Sequence, residues 1–242
     1  MRRKQTVTTW LLCLLAAFLL VGICSKCSPL YPFNEWGDAN EYFTVGKGMM
    51  NGRLPYRDLY DQKGPFLFLI QGIGWLLSPR TFHGVYVLQV LSMSLFLYYG
   101  YQTMKSYNQK ASKAWIPVLG LMTVASAAYA FGNSAEEFAL PMLSYGLYTA
   151  LRYAAVSREE RTPIPFKAVV LNGFLAGCVF WTKFSMCGFY LGWALSLVWM
   201  YATRKEYKAL CQSAGAILLG LAAATLPWLL YFGIQEYGLE SL

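Results

Sequence analysis

Charge is what this chain lacks. Only 13% of its 242 residues are charged and 57% are hydrophobic, where soluble domains carry roughly 25% charged residues. With a mean hydropathy of +0.38, a soluble fold is excluded. The length therefore bounds the number of membrane crossings, at about 20 apolar residues each. Histidine is nearly missing: His83 is the single one, which argues against a His-based metal site or triad. Paired cysteines are scarce as well. Of six cysteines only Cys24 and Cys27 lie close, as C-S-K-C, and no second pair completes a zinc site. They read as small apolar residues near a membrane interface, with a redox or metal pair as the alternative. There is no internal repeat, low-complexity tract or soluble domain. The net charge of +8 does not call for nucleic acid, because a polytopic protein collects Lys and Arg in its cytoplasmic loops.

The apolar runs come next. MRRK and the run from about Val7 to Cys24 begin like a signal peptide, but no small-x-small cleavage site follows. V-G-I-C also lacks the small residue that precedes the cysteine of a lipoprotein cleavage box. The run reads as an uncleaved first transmembrane helix with a cytoplasmic N-terminus. A long outer loop follows, about residues 25–82. Within it Phe66–Leu77 is too short to span and ends at Ser78-Pro79, which predicts an interfacial or re-entrant helix. Further spans are expected over about Gly84–Met104, Trp115–Phe131, Phe138–Val156, Ala168–Thr182, Phe184–Tyr201 and Leu210–Ile234. The expected fold is all-α. It is a polytopic membrane protein of about seven transmembrane helices, plus interfacial helices in the first outer loop, in a single membrane domain over 1–242.

Orientation follows from counting. The inner segments hold Arg2, Arg3, Lys4, then Lys105, Lys110, Lys113, then Arg152, Arg158, Arg161, Lys167, and finally Arg204, Lys205 and Lys208. These are 13 of the 20 basic residues, and only Glu159, Glu160 and Glu206 of the 12 acids join them. Basic short loops on one side satisfy the positive-inside rule. The expected location is the plasma membrane, multi-pass, with the long first loop outside.

That loop contains the one concentrated polar stretch, Asn34 to Pro65. Asp38 opens a predicted short helix in which Glu41, Tyr42, Val45 and Met49 share its face. The structural reading of Asp38 is an N-cap with Glu41 completing a capping box. The functional reading is a carboxylate with one oxygen left for chemistry, and the two are compatible. In RLPYRDLYDQKGP, Arg57, Asp58, Asp61 and Lys63 alternate in sign. Arg and Lys near a membrane surface can hold a phosphate; the plainer reading is a surface loop of locally paired charges.

The chain here resembles a known family. After a first span come D-x-x-x-Y, then G-x-x-P-Y-R-D-x-x-D-x-K-G-P, then an interfacial apolar helix. The matching residues are Asp38, Tyr42, Gly52, Pro55, Tyr56, Arg57, Asp58, Asp61, Lys63, Gly64 and Pro65. This is similar to the GT-C membrane glycosyltransferases, in particular bacterial relatives of protein O-mannosyltransferase and lipid A aminoarabinose transferase. GNSAEEF (Gly132–Phe138) resembles the acidic loop before the family's fourth span, and W-T-K (Trp181–Lys183) the basic residue after its fifth. The resemblance implies a cell-envelope enzyme that moves a sugar from a polyprenyl-phosphate carrier to a lipid, polysaccharide or protein acceptor at the outer face. It makes Asp38 the catalytic base and gives Lys63, Arg57 and Lys183 the leaving phosphate. Tyr42 and Tyr56 fall in the substrate site, with Asp58 and Asp61 holding the cations. Glu136 or Glu137 would orient the acceptor or bind an optional divalent cation; no metal or other cofactor is assigned. Family members usually have more spans than seven. More helices are thus expected past Leu242, or a further membrane subunit in their place.

Two other classes stand beside this one. A non-catalytic subunit that binds the lipid carrier would use the same loop without turnover. A transporter would place ionisable residues at mid-membrane depth, and the expected spans have none near their centres.

Overall fold

The computed structural model describes residues 2–160 and 164–237. Among them the chain is all-α, 75% helical, with nine α-helices and no strand. It divides into two compact units, Met1–Tyr148 and Thr149–Leu242.

In the first unit α1 (Arg2–Cys24) buries Cys13, Ala17 and Val21, one every turn, while Leu11, Leu15, Phe18 and Ile23 on its other faces stand more than half exposed. A helix apolar on all sides is built for lipid rather than water. A loop leads to α2 (Gly37–Met50), and a second to α3 (Pro65–Leu77). The latter covers the run expected to be interfacial, and is started by a proline whose fixed φ suits the first helical position. It is followed by α4 (His83–Tyr107) and α5 (Trp115–Val124). The core joins these helices through Leu67 and Phe68 of α3, Val85, Met93 and Leu97 of α4, and Ile116 of α5. α6 (Ala135–Glu160) begins in this unit and runs into the second.

α2 lies against α3 at a glycine contact. A Cβ on Gly46 would come within 2.6 Å of the Gly72 nitrogen and the Phe68 carbonyl, and one on Gly72 within 2.9 Å of the Gly46 carbonyl. The two backbones touch because neither residue has a side chain.

In the second unit α7 (Phe166–Phe180) packs along α9 (Tyr207–Tyr237), with a 3₁₀ turn (Phe184–Cys187) and α8 (Gly188–Thr203) between them in sequence. Val169, Trp193, Leu197, Tyr201 and Ala216 form its core. Asn172, wholly buried, donates to Thr149 Oγ1 at 3.0 Å.

Three helical stretches are long and apolar enough to cross a membrane: Gln5–Cys24 with mean hydropathy 2.5, Phe184–Thr203 with 1.2 and Tyr207–Ile234 with 1.9. Seven were expected. The helices α4 and α6 have the length, at 25 and 26 residues, but polar side chains such as Gln89, Gln102, Glu136 and Glu137 dilute them. The expected span over Trp115–Phe131 is a helix only to Val124. Turns replace it from Ala125 onward, where Ala130, Gly132 and Asn133 take left-handed φ values of 50°, 78° and 67°. The 15 residues of α7 are short of the roughly 20 that a crossing needs.

Candidate functional site

The polar stretch between α1 and α3 folds around Tyr42. This residue lies on α2, 2% exposed, and its hydroxyl donates to Asp38 Oδ2 at 3.0 Å, one helical turn earlier. The Lys63 ammonium sits 5.5 Å from the centre of the Tyr42 ring, within cation–π range. Burial, the hydrogen bond to Asp38, and the charges of Asp38, Asp61 and Glu136 together push the Tyr42 hydroxyl well above the usual phenol range. Tyr42 is thus a fixed donor. Asp38 itself is exposed, and its Oδ1 takes no hydrogen bond among the described residues.

Asp38 is not the N-cap that its position suggests. α2 begins one residue earlier, with Trp36 as N-cap and no side chain capping it. Asn34 and Asn40 organise that corner instead. Asn34 Oδ1 accepts the Trp36 N–H at 3.1 Å, and Asn40 Nδ2 donates to the carbonyls of Asn34 and Trp36, both at 2.8 Å. The capping box with Glu41 is absent and Glu41 is exposed. Asp38 stays in the first turn, where the positive end of the helix favours a carboxylate.

The block from Leu54 to Gly64 is a tight loop. Tyr56 holds a left-handed φ of 71°, donates its N–H to the Leu59 carbonyl at 2.7 Å and its hydroxyl to the Lys63 carbonyl at 2.7 Å. Asp58 accepts the Leu54 N–H at 2.8 Å and two bonds from the Arg57 guanidinium, at 2.8 and 3.0 Å. Those bonds, Arg57 first, hold its carboxyl down at about 2. Asp61 is 6% exposed; its Oδ1 accepts the Lys63 backbone N–H at 2.8 Å, and its Oδ2 is buried with no partner among the described residues. Asp58 therefore does steady Arg57. Asp61 steadies the backbone of Lys63, not its ammonium.

A second polar cluster surrounds the start of α6. Glu137 is 2% exposed. Its Oε2 accepts the Gln89 amide at 2.8 Å and the Asn133 N–H at 2.7 Å, while its own N–H donates to Ser134 Oγ at 3.1 Å. Gln89 in turn accepts from Ser25 Oγ at 3.0 Å. Asn133 and Gln71 of α3, both fully buried, exchange side-chain amide bonds at 2.5 and 3.3 Å. Glu137 Oε1 remains buried without a hydrogen bond among the described residues. Burial dominates over the two donors and pushes its carboxyl up to about 7.

Asp38, Tyr42, Tyr56, Arg57, Asp58, Asp61, Lys63, Glu136 and Glu137 all belong to the first unit. Within it Tyr42, Asp38, Asp61 and Lys63 form one cluster, while Arg57 pairs with Asp58 on the exposed side of its loop. Lys183 belongs to the second unit, where it is the N-cap of the 3₁₀ turn after α7. Sequence reasoning missed Gln71, Gln89 and Asn133. The two glutamines did carry a signal, since each is a lone amide inside an otherwise apolar run, where it must find a partner. Cys24 and Cys27 are free thiols, and the described residues include no group of His, Cys, Asp or Glu placed to hold a metal. No family model, curated protein or solved structure matches the chain.

Proposed function

We propose that the chain is a multi-pass membrane glycosyltransferase that transfers a sugar from a polyprenyl-phosphate carrier to an acceptor hydroxyl. In this reading it is a multi-pass protein of the plasma membrane, N-terminus inside, and the first loop faces out. The observation that carries it is the Asp38–Tyr42–Lys63 cluster. It puts an oriented, solvent-reaching carboxylate and a cation on one tyrosine, on a short helix beside apolar helices.

Asp38 Oδ1 takes the proton of the acceptor hydroxyl while Oδ2 is held by Tyr42. The freed oxygen attacks the anomeric carbon, the bond from that carbon to the carrier phosphate breaks, and its electron pair stays on the phosphate. Lys63, with Arg57 from the same loop, offsets the charge that develops there. Glu136 or Glu137 orients the acceptor.

Reconstituted full chain supplied with a polyprenyl-phosphate sugar and an acceptor mixture tests this. Asp38→Asn is expected to lower transfer by roughly 10²–10⁴-fold, the usual contribution of a positioned base, with folding intact. Undiminished transfer in that variant removes Asp38 as the base. Carrier binding without turnover in the unmutated protein favours a carrier-binding subunit instead.

A further inference from the structure

The C-terminal end of α1 is finished by side-chain hydroxyls. Tyr86 donates to the Phe18 carbonyl at 3.2 Å, Ser28 Oγ to the Gly22 carbonyl at 2.6 Å, and the Tyr31 hydroxyl to the Ile23 carbonyl. Gly22 and Ile23 lie in the final turn, whose carbonyls have no partner within a helix. With these donors in place the end makes no demand on water. Beside it runs a groove of about 220 Å³, walled by Phe18, Leu19 and Ile23 of α1, Leu30 of the loop after it and Tyr86 of α4. Gly22 is its floor. A Cβ there would meet only the Tyr86 hydroxyl within 4 Å, at 3.4 Å, so the missing side chain is what keeps the groove open. The hydroxyls that line it, Ser28 and Tyr86, spend their protons on backbone carbonyls. A polar ligand finds nothing to bond there, and an alkyl chain loses nothing.

We propose that this groove holds an acyl chain of an anionic phospholipid of the bilayer, and that the Lys26 ammonium takes the headgroup phosphate. Phe18, Leu19 and Ile23 belong to the outward face of a helix long and apolar enough to cross a membrane, and each is at least half exposed. The groove therefore opens onto the lipid around α1, and bulk phospholipid is the occupant in greatest supply. The assignment rests on α1 lying in a bilayer and not on sugar transfer.

Charge selects the headgroup. Lys26 lies in the chain between Ile23 and Leu30, two walls of the groove, and its backbone N–H is fixed to the Phe131 carbonyl at 2.8 Å. Its ammonium sits 4.3 Å from the centre of the Tyr31 ring, the same ring whose hydroxyl caps Ile23. No carboxylate pairs with it among the described residues. A lysine meets phosphate as a point charge, and its stem can lie along apolar surface while the head reaches the interface. A zwitterionic headgroup brings its own cation beside Lys26 and gains less. One lysine near an anionic lipid corresponds to about fivefold in affinity.

Native mass spectrometry of the full chain in detergent, titrated with dioleoyl phosphatidylglycerol or dioleoyl phosphatidylcholine, tests this. The first lipid retained is expected to be phosphatidylglycerol, preferred by about fivefold. Lys26→Gln should bring its retention down to that of phosphatidylcholine, whereas Lys110→Gln, on the loop before α5, should leave the preference intact. Gly22→Leu stands a side chain in the groove and should weaken both lipids by roughly tenfold, the worth of about two methylenes. An unchanged preference in Lys26→Gln, or unchanged retention in Gly22→Leu, overturns the proposal. So does one-for-one displacement of phosphatidylglycerol by geranylgeranyl phosphate at equal concentration, which would give the groove to an isoprenoid chain. If Gly22→Leu does not fold, Lys26→Gln and the displacement decide. Because the readout is lipid retention, a negative result leaves the transfer reaction, tested by turnover, where it stood.

Discussion

Glu137→Gln is expected to make the protein more stable at alkaline pH. Glutamine has the same shape, and its carbonyl can take over both bonds now made by Oε2, from Gln89 and from the Asn133 N–H. What it removes is a buried charge. The Glu137 carboxyl titrates at 4.5 when unburied and at about 7 in the folded chain. Between those values the folded chain holds a proton that the unfolded chain has released, so stability falls as pH rises across that window. Each pH unit of displacement corresponds to about 1.4 kcal/mol, so the ionised carboxylate costs on the order of 3 kcal/mol by pH 8. The variant should escape that cost and be pH-independent through this position. Thermal unfolding of both proteins in detergent, from pH 5 to 8.5, measures it. The melting temperatures should nearly coincide at pH 5, and the variant should lead by roughly 5–10 °C at pH 8, at a few degrees per kcal/mol. A variant less stable at pH 8, or a difference that does not change with pH, refutes the reasoning.

Other outcomes follow from the same geometry. Gly72→Leu forces a side chain into the Gly46 backbone and should separate α2 from α3. It should destabilise by about 1–3 kcal/mol, as overpacking does, and lower any activity that depends on Asp38. Thermal melts of variant and parent read the first effect, transfer assays the second. Tyr42→Phe keeps the ring under Lys63 but frees Asp38 Oδ2, so turnover should drop while carrier binding, followed by ligand-induced fluorescence, changes little. The Arg57–Asp58 fork should be indifferent to pH from about 4 upward. Asp58 is held at about 2, so its contribution is present above its unfolded value and is lost only as the pH falls towards 2. Isotope-edited NMR of the Arg57 side chain checks this, and a transition near pH 4 would contradict the fork.

Much of the fold was legible because apolar length and punctuation fix it. Pro65 and Ser78 bracket α3 in the sequence as they do in the structure, and the first span ends at Cys24 in both. The third expected span was not legible. Trp115–Phe131 is continuously apolar or small, and nothing local announces that Ala130 will take a left-handed conformation. The site shows the same division. The pairing of Arg57 with Asp58 is a nearest-neighbour contact and follows from their adjacency. The role of Asp38 depended on Asn34 and Asn40 taking over the helix corner, a choice that residue type alone leaves open. The Gln71–Asn133 and Gln89–Glu137 contacts span 62 and 48 residues, a separation over which sequence pattern carries no information about partners.

Asn133 meets three demands at once. Its backbone is left-handed, its N–H feeds Glu137, and its side chain both gives to and takes from Gln71. Glycine would accept the backbone and lose the amide. Aspartate would tolerate the backbone and offer no donor to Gln71, and glutamine reaches too far for a site closed on all sides. A saturation library at position 133, selected for folded protein, should therefore return asparagine almost alone. By contrast exposed Glu41, once expected to help cap the helix, should drift freely. The tolerance of this chain to change is set by what each position joins, and the most constrained residue of its polar interior is one with no charge.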